Sequence, residues 1–331
     1  MKIVVFGSDA RVGALVGDSV IDLNAAYARM LRERGDANAA ASASERIPLA
    51  LQGFIAAGTA GLEAAQNAID HAQGSAPADG GVTIVHRAAD VKLHAPWPGK
   101  RIVCAGGNYA AHSYGMAINR GTQGITLESQ AQRIRNDGLW GFWKHADAVA
   151  GPGDNVPYPK RAEYFDYEGE VVIVLGKRGK NIKADNIAEY VWGVTLGVDW
   201  SIRDADKGPQ RPVSFNLPKN FDSSASLGPC IVVGELDPQN VDLVTRVDGE
   251  VRQSYNSSDM VFSFGELLEY LSPDFTFVPG DLVYGGTGAG TAQDSTKLNP
   301  DGSRPKDRFL KVGQVVEVSS PRIGTLTSTI V

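Results

Sequence analysis

The chain has 331 residues, 43% of them apolar and 21% charged, and its formal net charge is −6. A chain of this length and composition can bury a full core, and its lack of a long basic run argues against nucleic acid or an anionic membrane surface as main partner. No apolar run reaches the ~18–20 residues of a membrane-spanning helix, and the opening lacks the features of a signal peptide. Since only Cys104 and Cys230 occur, both in apolar surroundings, we predict a soluble cytoplasmic protein with these cysteines in its core.

The N-terminal part predicts a small α+β unit. "KIVVF" and "VGALVGDSVIDL" indicate short strands, the second run being divided by a Gly17-Asp18 turn. From about residue 24 to 72 the pattern is helical and rich in alanine. A Gly/Pro/Ser-rich stretch over 74–83 then indicates a loop or linker. We therefore expect an N-terminal domain over residues 1–95 and a second domain over 96–331.

From Arg101 onward, short strands separated by Gly and Pro predict a mostly antiparallel sheet system. Asp248-Gly249 lies between two such runs as a two-residue hairpin turn. Two clear helices are predicted among these strands, at roughly 184–192 and 264–271, the latter opened by a capping box formed by Ser263 and Glu266. The fold class expected for the whole chain is α+β and rich in β structure.

A segment at about 113–145 is a candidate lid. "ITLESQAQRIRNDG" predicts an amphipathic helix that ends at Gly138. Its apolar positions at helical spacing are Leu127, Ala131 and Ile134. The aromatic residues that follow are Trp140, Phe142 and Trp143. These rings either wall a pocket for an apolar or cyclic substrate or pack the lid against the protein.

Acidic residues mark the two central strands. Glu168 and Glu170 are two apart in "FDYEGEVVIVLGK" and so share one strand face, while Asp199 ends the next strand run on the side away from its apolar residues. Three carboxylates without clustered His or Cys would suit Mg²⁺ or Mn²⁺ rather than zinc. The alternative from spacing alone is a solvated sheet face.

The motifs "DYEGEVVIVLGK", "GVTLGVDWSIRD", "KNFDSSASLGPCIV" and "FVPGDLVYGGTGAGT" occur in the order found in the fumarylacetoacetate hydrolase family. The chain resembles that family from about Ile102 to its C-terminus, and more loosely over its opening strands. The resemblance implies the family's mixed β-sandwich roll. It also implies that Glu168, Glu170 and Asp199 ligate Mg²⁺ or Mn²⁺.

The resemblance also implies roles for polar residues around this centre. Arg203 and Lys219 would bind the substrate's oxygens and stabilise an oxyanion, where the simpler alternative is an ion pair at the rim. Thr287 and Tyr109 would bind substrate. Asp206 stands where longer family members have a glutamine, and we assign it no role because an anion there would repel negative charge.

"CAGGNYAAH" resembles the family stretch whose histidine, here His112, activates a water molecule. Many members carry a glutamate three residues later that orients this histidine, but this chain has Gly115 there. Either Glu128 supplies the carboxylate from the lid, or another acid does, or His112 acts alone. A solvated helix charge is the simpler explanation for Glu128.

The resemblance implies a metal-dependent hydrolase that cleaves a C–C bond in a β-diketone or acylpyruvate-type acid. The first alternative is an isomerase or decarboxylase of an oxo-dienoic diacid, which needs no attacking water and is favoured by the missing glutamate. The second is a binding protein without turnover. In each case the expected partner is a small keto acid, and the expected assembly is a homodimer.

Overall fold

The computed structural model describes residues 1–145, 149–204, 215–234 and 236–331. Asp206 lies outside these described residues. Helices are concentrated in the N-terminal third and in the predicted lid. The α-helices are α1 (Leu23–Glu33), α2 (Ala39–Arg46), α3 (Leu51–Ala56), α4 (Gly58–Gln73), α5 (Ala110–Asn119), α6 (Leu127–Asp137), α7 (Phe264–Leu271) and α8 (Ala292–Ser295). Short 3₁₀ helices lie at Ala88–Asp90, Ala184–Glu189 and Ser257–Asp259.

Strands occur along the whole chain and are mostly short. Before residue 100 they are β1 (Lys2–Phe6), β2 (Arg11–Val16), β3 (Ser19–Asp22), β4 (Ala78–Asp79), β5 (Val82–Thr83), β6 (Val85–Arg87) and β7 (Leu93–His94). In the middle they are β8 (Ile102–Ala105), β9 (Gly141–Lys144), β10 (Val149–Ala150), β11 (Asn155–Val156), β12 (Phe165–Asp166), β13 (Gly169–Leu175), β14 (Val191–Asp199) and β15 (Ser201–Ile202). The last are β16 (Ala225–Val232), β17 (Asp242–Val247), β18 (Glu250–Asn256), β19 (Leu282–Tyr284), β20 (Val315–Ser320) and β21 (Gly324–Ile330).

A 12-stranded mixed sheet forms the centre of the protein. Its main path runs β6-β3-β2-β1-β16-β14-β13-β19-β8-β9, with β7 paired to β1 and β10 to β16. Most neighbours are antiparallel, but β8 pairs with β19 and β10 with β16 in parallel. The apolar strands β13 and β14 lie in the middle and are buried on both faces, which explains their nearly continuous runs of Val, Ile and Leu.

The second sheet packs face to face on the first. It has five strands in the order β11-β21-β20-β17-β18, and its members contact β13, β14 and β16 of the large sheet. The core between the sheets contains residues from both, among them Val171, Val198, Val316 and Leu326. The predicted α+β fold with a mixed sheet is therefore confirmed.

The N-terminal strands extend the large sheet. Strand β1 pairs antiparallel with β16, so that Ile3 lies opposite Ile231. On the face away from the second sheet, the N-terminal helices cover this region, and Phe54 of α3 and Ala65 of α4 pack in one core with Ile231. One sheet therefore runs through both parts of the chain. The division into two domains at residue 95 stays a prediction.

Several local predictions are confirmed and three need correction. The loop or linker predicted over 74–83 contains the short antiparallel strand pair β4–β5. Asp248-Gly249 joins β17 to β18, and Ser263 and Glu266 form the capping box of α7. The helix predicted at 184–192 is a 3₁₀ helix that ends at Glu189, because β14 already begins at Val191. In the lid helix α6, Ile134 is buried as predicted, but Leu127 is exposed because it starts the helix at an outer turn.

Cys104 and Cys230 are free and buried, as predicted. Within the described ranges, no helix is long and apolar enough to cross a membrane. The cytoplasmic location and the homodimer stay predictions.

Candidate metal centre and active site

The three predicted metal ligands meet at one end of the central strand pair. Glu168 directly precedes β13, Glu170 is the second residue of that strand, and Asp199 ends the neighbouring β14. Because β13 and β14 are antiparallel, with Gly169 opposite Val198, Asp199 lies beside Glu168 and its amide donates to the Glu168 carbonyl at 2.9 Å. Carboxylate oxygens of the three residues lie within 4.8 Å of one another. All three side chains are buried, so the alternative of a solvated sheet face is wrong.

Basic side chains surround these carboxylates. Lys219 Nζ donates to Glu168 Oε2 at 2.5 Å and to Asp199 Oδ2 at 2.7 Å. Arg203 Nη2 donates to Glu168 Oε1 at 2.5 Å. Lys144, which the sequence reasoning missed, donates from β9 to Asp199 Oδ1 at 2.5 Å. Since Lys219 is only 3% exposed, the alternative of an ion pair at the rim is wrong for it.

The surroundings shift the pKa values of Glu168 and Glu170 in opposite directions. Burial raises the pKa of Glu170, and the negative charges of Asp199 and Glu168 raise it further. Burial acts in the same direction on Glu168, but Arg203 and Lys219 outweigh it and hold the pKa of Glu168 well below its usual range. Glu170 instead receives a backbone hydrogen bond from Gly286 N at 2.7 Å.

This donor set fits a hard divalent cation. Three converging carboxylates offer the oxygen ligands that Mg²⁺ and Mn²⁺ prefer, and no thiol or imidazole among the described residues joins them within ligand distance. Burial of Glu170 among like charges gives a further reason, because a divalent cation would offset that repulsion. The donors do not distinguish Mg²⁺ from Mn²⁺.

His112 has a carboxylate partner that the sequence did not reveal. Its Nδ1 lies 2.5 Å from Asp294 Oδ2, and both side chains are buried. Asp294 is held on the short helix α8, where Thr291 caps the Asp294 amide and Gly290 N donates to Asp294 Oδ1 at 2.9 Å. His112 is also close enough to Glu168 to lower its pKa electrostatically. The histidine therefore faces the carboxylate cluster with an acid behind it.

The position of Asp294 explains why residue 115 is a glycine. A Cβ atom at Gly115 would lie 2.8 Å from the Asp294 carbonyl oxygen and 3.1 Å from the Asp294 Cβ. The segment that carries Asp294 thus fills the space that a side chain at position 115 would need. Glu128 is exposed on α6, and no hydrogen bond joins it to His112 among the described residues, so the hypothesis that it supplies the carboxylate is corrected to Asp294.

Alanine at position 115 tests this packing. We expect Gly115→Ala to lower kcat by about 10- to 100-fold, because the new methyl group must displace Asp294 and hence His112. The melting temperature should fall as well, because overpacking typically costs about 1–3 kcal/mol, more than the roughly 1 kcal/mol by which alanine favours the helix. Gly74→Ala is the matched control, because its Cβ would meet nothing closer than 3.9 Å. Unchanged kinetics in Gly115→Ala would contradict the close contact.

One buried carboxylate connects the two halves of the site. Asp166 accepts a hydrogen bond from Arg203 Nε at 2.8 Å, and Arg203 in turn holds Glu168. Asp166 also accepts from Ala292 N at 2.8 Å and from Gln293 N at 3.0 Å, at the start of α8. Asp166 therefore bonds both to Arg203, which contacts the predicted metal ligand Glu168, and to α8, which carries the partner of His112.

Thr287 and Tyr109, the two predicted substrate-binding residues, lie next to the cluster. The Thr287 hydroxyl donates to the Gly169 carbonyl at 3.0 Å and accepts from Gln253 at 2.8 Å, so its one proton is engaged by the protein. Tyr109 is buried, its ring lies edge-on to Tyr255, and its hydroxyl has no partner in the described part of the chain. Their roles in substrate binding stay predictions.

The lid aromatics pack this segment against the protein, whereas their role in walling a substrate pocket stays a prediction. Phe142 lies under Lys219, whose Nζ is 5.3 Å from the ring centroid, and it stacks on Phe215. Trp143 points to the other side of β9 and packs against Phe275 at 4.6 Å. Phe142 and Lys144 share a strand face, so alternation on β9 was the sequence feature that could have identified Lys144.

The sequence matches a protein-family model and is similar to a named bacterial protein. The family model described as fumarylacetoacetate (FAA) hydrolase C-terminal matches residues 101–331. Oxaloacetate tautomerase YisK of Bacillus subtilis (strain 168) is 34% identical over 253 residues, which are 75% of this chain and 76% of that protein.

Solved structures share the fold. The 2-hydroxyhepta-2,4-diene-1,7-dioate isomerase of Mycobacterium marinum is 28% identical with a TM-score of 0.58, over 78% of this chain and 83% of that one. Maleylpyruvate hydrolase of Sphingobium sp. SYK-6, in complex with manganese(II) ion and pyruvate, has a TM-score of 0.68 at 21% identity, over 100% of this chain and 99% of that one. The last likeness is one of fold alone.

Proposed function

Because the chain belongs to the fumarylacetoacetate hydrolase family, we propose that it is a divalent-metal-dependent enzyme that transfers a proton on a 2-oxo acid, as a tautomerase or isomerase. The observation that carries the proposal is the buried His112–Asp294 pair facing a cluster of three carboxylates. The similarity to a tautomerase and to an isomerase supports the same chemistry. Oxaloacetate is the first substrate to test.

Glu168, Glu170 and Asp199 would hold the cation. When bound, Mg²⁺ or Mn²⁺ supplies Lewis acidity that makes the carbon next to a keto group more acidic. Lys219 and Lys144 place ammonium groups beside the same carboxylates, where they can attract the negative charge that develops on the substrate oxygens.

His112 is the residue that moves the proton. With Asp294 accepting from the protonated Nδ1, the imidazole carries a free lone pair on Nε2. That nitrogen can take a proton from the substrate carbon and return it to the enolate oxygen or to another carbon, so the atoms balance without a water molecule. Asp294 stabilises the imidazolium formed in between.

Lys219 is expected to contribute directly to catalysis. We expect Lys219→Met to lower kcat/KM by about 10²-fold, because it removes a positive charge where oxyanion charge develops. If Lys219 stabilises the oxyanion, steady-state kinetics should show the loss in kcat. A loss confined to KM would instead mean that Lys219 binds the substrate carboxylate. Lys177→Met is the control, because Lys177 forms its ion pair with Glu189 at the surface.

C–C bond hydrolysis is the second candidate. It is favoured by the same His112–Asp294 pair, because the missing lid glutamate was the reason to doubt water activation.

Product analysis separates the two candidates. With Mn²⁺ present, a tautomerase accelerates the interconversion of enol and keto oxaloacetate, followed by ultraviolet absorbance, and leaves acylpyruvates whole. A hydrolase releases two carboxylic acid fragments from an acylpyruvate. Absence of both activities in metal-loaded protein would contradict the proposal.

A further inference from the structure

Gln253 is a buried amide on β18 that reaches the backbone between the two glutamate ligands. We propose that Gln253 is a positioning residue: it holds the Gly169 peptide groups and the 286–288 loop together, and so sets the geometry in which Glu168 and Glu170 bind the cation. The inference rests on the proposed function only in assuming that a divalent cation binds there.

The amide of Gln253 uses both of its ends. Its Oε1 accepts a hydrogen bond from Gly169 N at 3.0 Å. Its Nε2 donates to Thr287 Oγ1 at 2.8 Å and to the Gly288 carbonyl at 2.9 Å. A single side chain thus connects the residue between the two ligands to the glycine-rich loop.

The carbonyl group of Gly169 is also hydrogen-bonded, and one of its donors is Thr287 from the same loop. The Gly169 carbonyl accepts from Thr287 Oγ1 at 3.0 Å and from the Tyr255 hydroxyl at 2.6 Å. From the same loop, Gly286 N donates to Glu170 Oε2 at 2.7 Å. Gln253, Thr287 and Gly286 therefore act on one ligand strand from one direction, and the position of the loop fixes an oxygen of Glu170.

Position 169 needs such support because only glycine fits there. A Cβ atom would lie 2.3 Å from Thr245 Oγ1 and 3.3 Å from Gln253 Oε1. Glycine gives the backbone between two ligands its greatest conformational freedom, and the two neighbouring carboxylates repel each other. Hydrogen bonds to both peptide groups of Gly169 restrict that freedom, as outer-shell partners of metal ligands do elsewhere.

The test compares Gln253→Met with an amide that, within the described ranges, forms no hydrogen bond to Gly169, to the 286–288 loop or to a ligand residue. Gln239 offers the same kind of contacts, accepting from Phe264 N at 3.2 Å and donating to the Ser257 carbonyl at 3.0 Å. Each protein is stripped of metal with EDTA, dialysed and titrated with Mn²⁺ by calorimetry, and its melting curve is recorded with and without Mn²⁺. We expect Gln253→Met to weaken Mn²⁺ binding by about 10- to 100-fold. Gln239→Met should leave Mn²⁺ affinity unchanged, although both substitutions lower the melting temperature.

A second variant keeps the inference testable if Gln253→Met does not fold. Thr287→Val is nearly isosteric and breaks the same connection at its other end, so it should also weaken Mn²⁺ binding. In the double variant the two losses should not add, because both act through Gly169. Folded variants with wild-type Mn²⁺ affinity would overturn the role of Gln253 while leaving the proposed function intact. A wild-type protein that binds no Mn²⁺ would overturn both.

Discussion

Replacing His112 with alanine should lower kcat by about 10²- to 10⁴-fold, the range that a positioned acid or base contributes. Both candidate reactions need this imidazole, either to take a proton from carbon or to activate water. Since Asp294 Oδ2 lies 2.5 Å from His112 Nδ1, Asp294→Asn should also lower kcat, by about 10-fold or more, without a matching change in KM. The measurement is steady-state kinetics on the Mn²⁺-loaded protein across pH.

Glu128→Gln is the control for this pair. Glu128 is an exposed carboxylate on the same lid and should be replaceable without effect on kcat. If Glu128→Gln instead lowered kcat as much as Asp294→Asn, the lid would supply the carboxylate during turnover. Full activity in His112→Ala would remove the proton-transfer role altogether.

Removal of the divalent cation should abolish turnover, and added Mg²⁺ or Mn²⁺ should restore it. Glu170→Gln should lose both the activity and most of the Mn²⁺ affinity, because one of the converging carboxylates is gone. Metal-free Glu170→Gln should melt no lower than the metal-free wild type. The reason is that burial and the neighbouring anions raise the pKa of Glu170, so that its ionised form opposes folding above its ordinary pKa and a neutral amide removes that cost.

The control for the cation experiment is Glu45→Gln, an exposed carboxylate of α2, which should bind Mn²⁺ like the wild type. Calorimetric titration and elemental analysis of the dialysed protein give the affinity and the stoichiometry. Mn²⁺ binding at full affinity by Glu170→Gln would place the cation elsewhere in the protein.

The sequence predicted the residues of the central strands better than those of the loops. Glu168, Glu170 and Asp199 followed from strand alternation and ordered motifs, because their positions on a buried strand pair depend on local pattern. Lys219 was found through its motif alone. Asp294 was missed because it reaches His112 across 182 positions of the chain, a contact that no local period encodes.

Two further sequence features indicate the positions of Asp294 and Lys144. Thr291 and Asp294 have the spacing of a helix N-cap, which would have placed a short helix directly after the glycine-rich turn. Lys144 is an isolated charge in an aromatic strand, and such a residue is buried only when it is paired. Leu127 shows the opposite case, where helical spacing suggested burial but the residue lies at the exposed first turn.

The contact between Gly115 and Asp294 also constrains how this sequence can change. A carboxylate at position 115 and the present path of the 290–295 segment compete for the same volume, since the first side-chain atom would already lie 2.8 Å from the Asp294 carbonyl. We therefore expect this backbone to allow only one of the two acids beside His112, and substitutions at positions 115 and 294 to be non-additive. An engineer who restored glutamate at position 115 would have to shorten or re-route the segment around α8 in the same step.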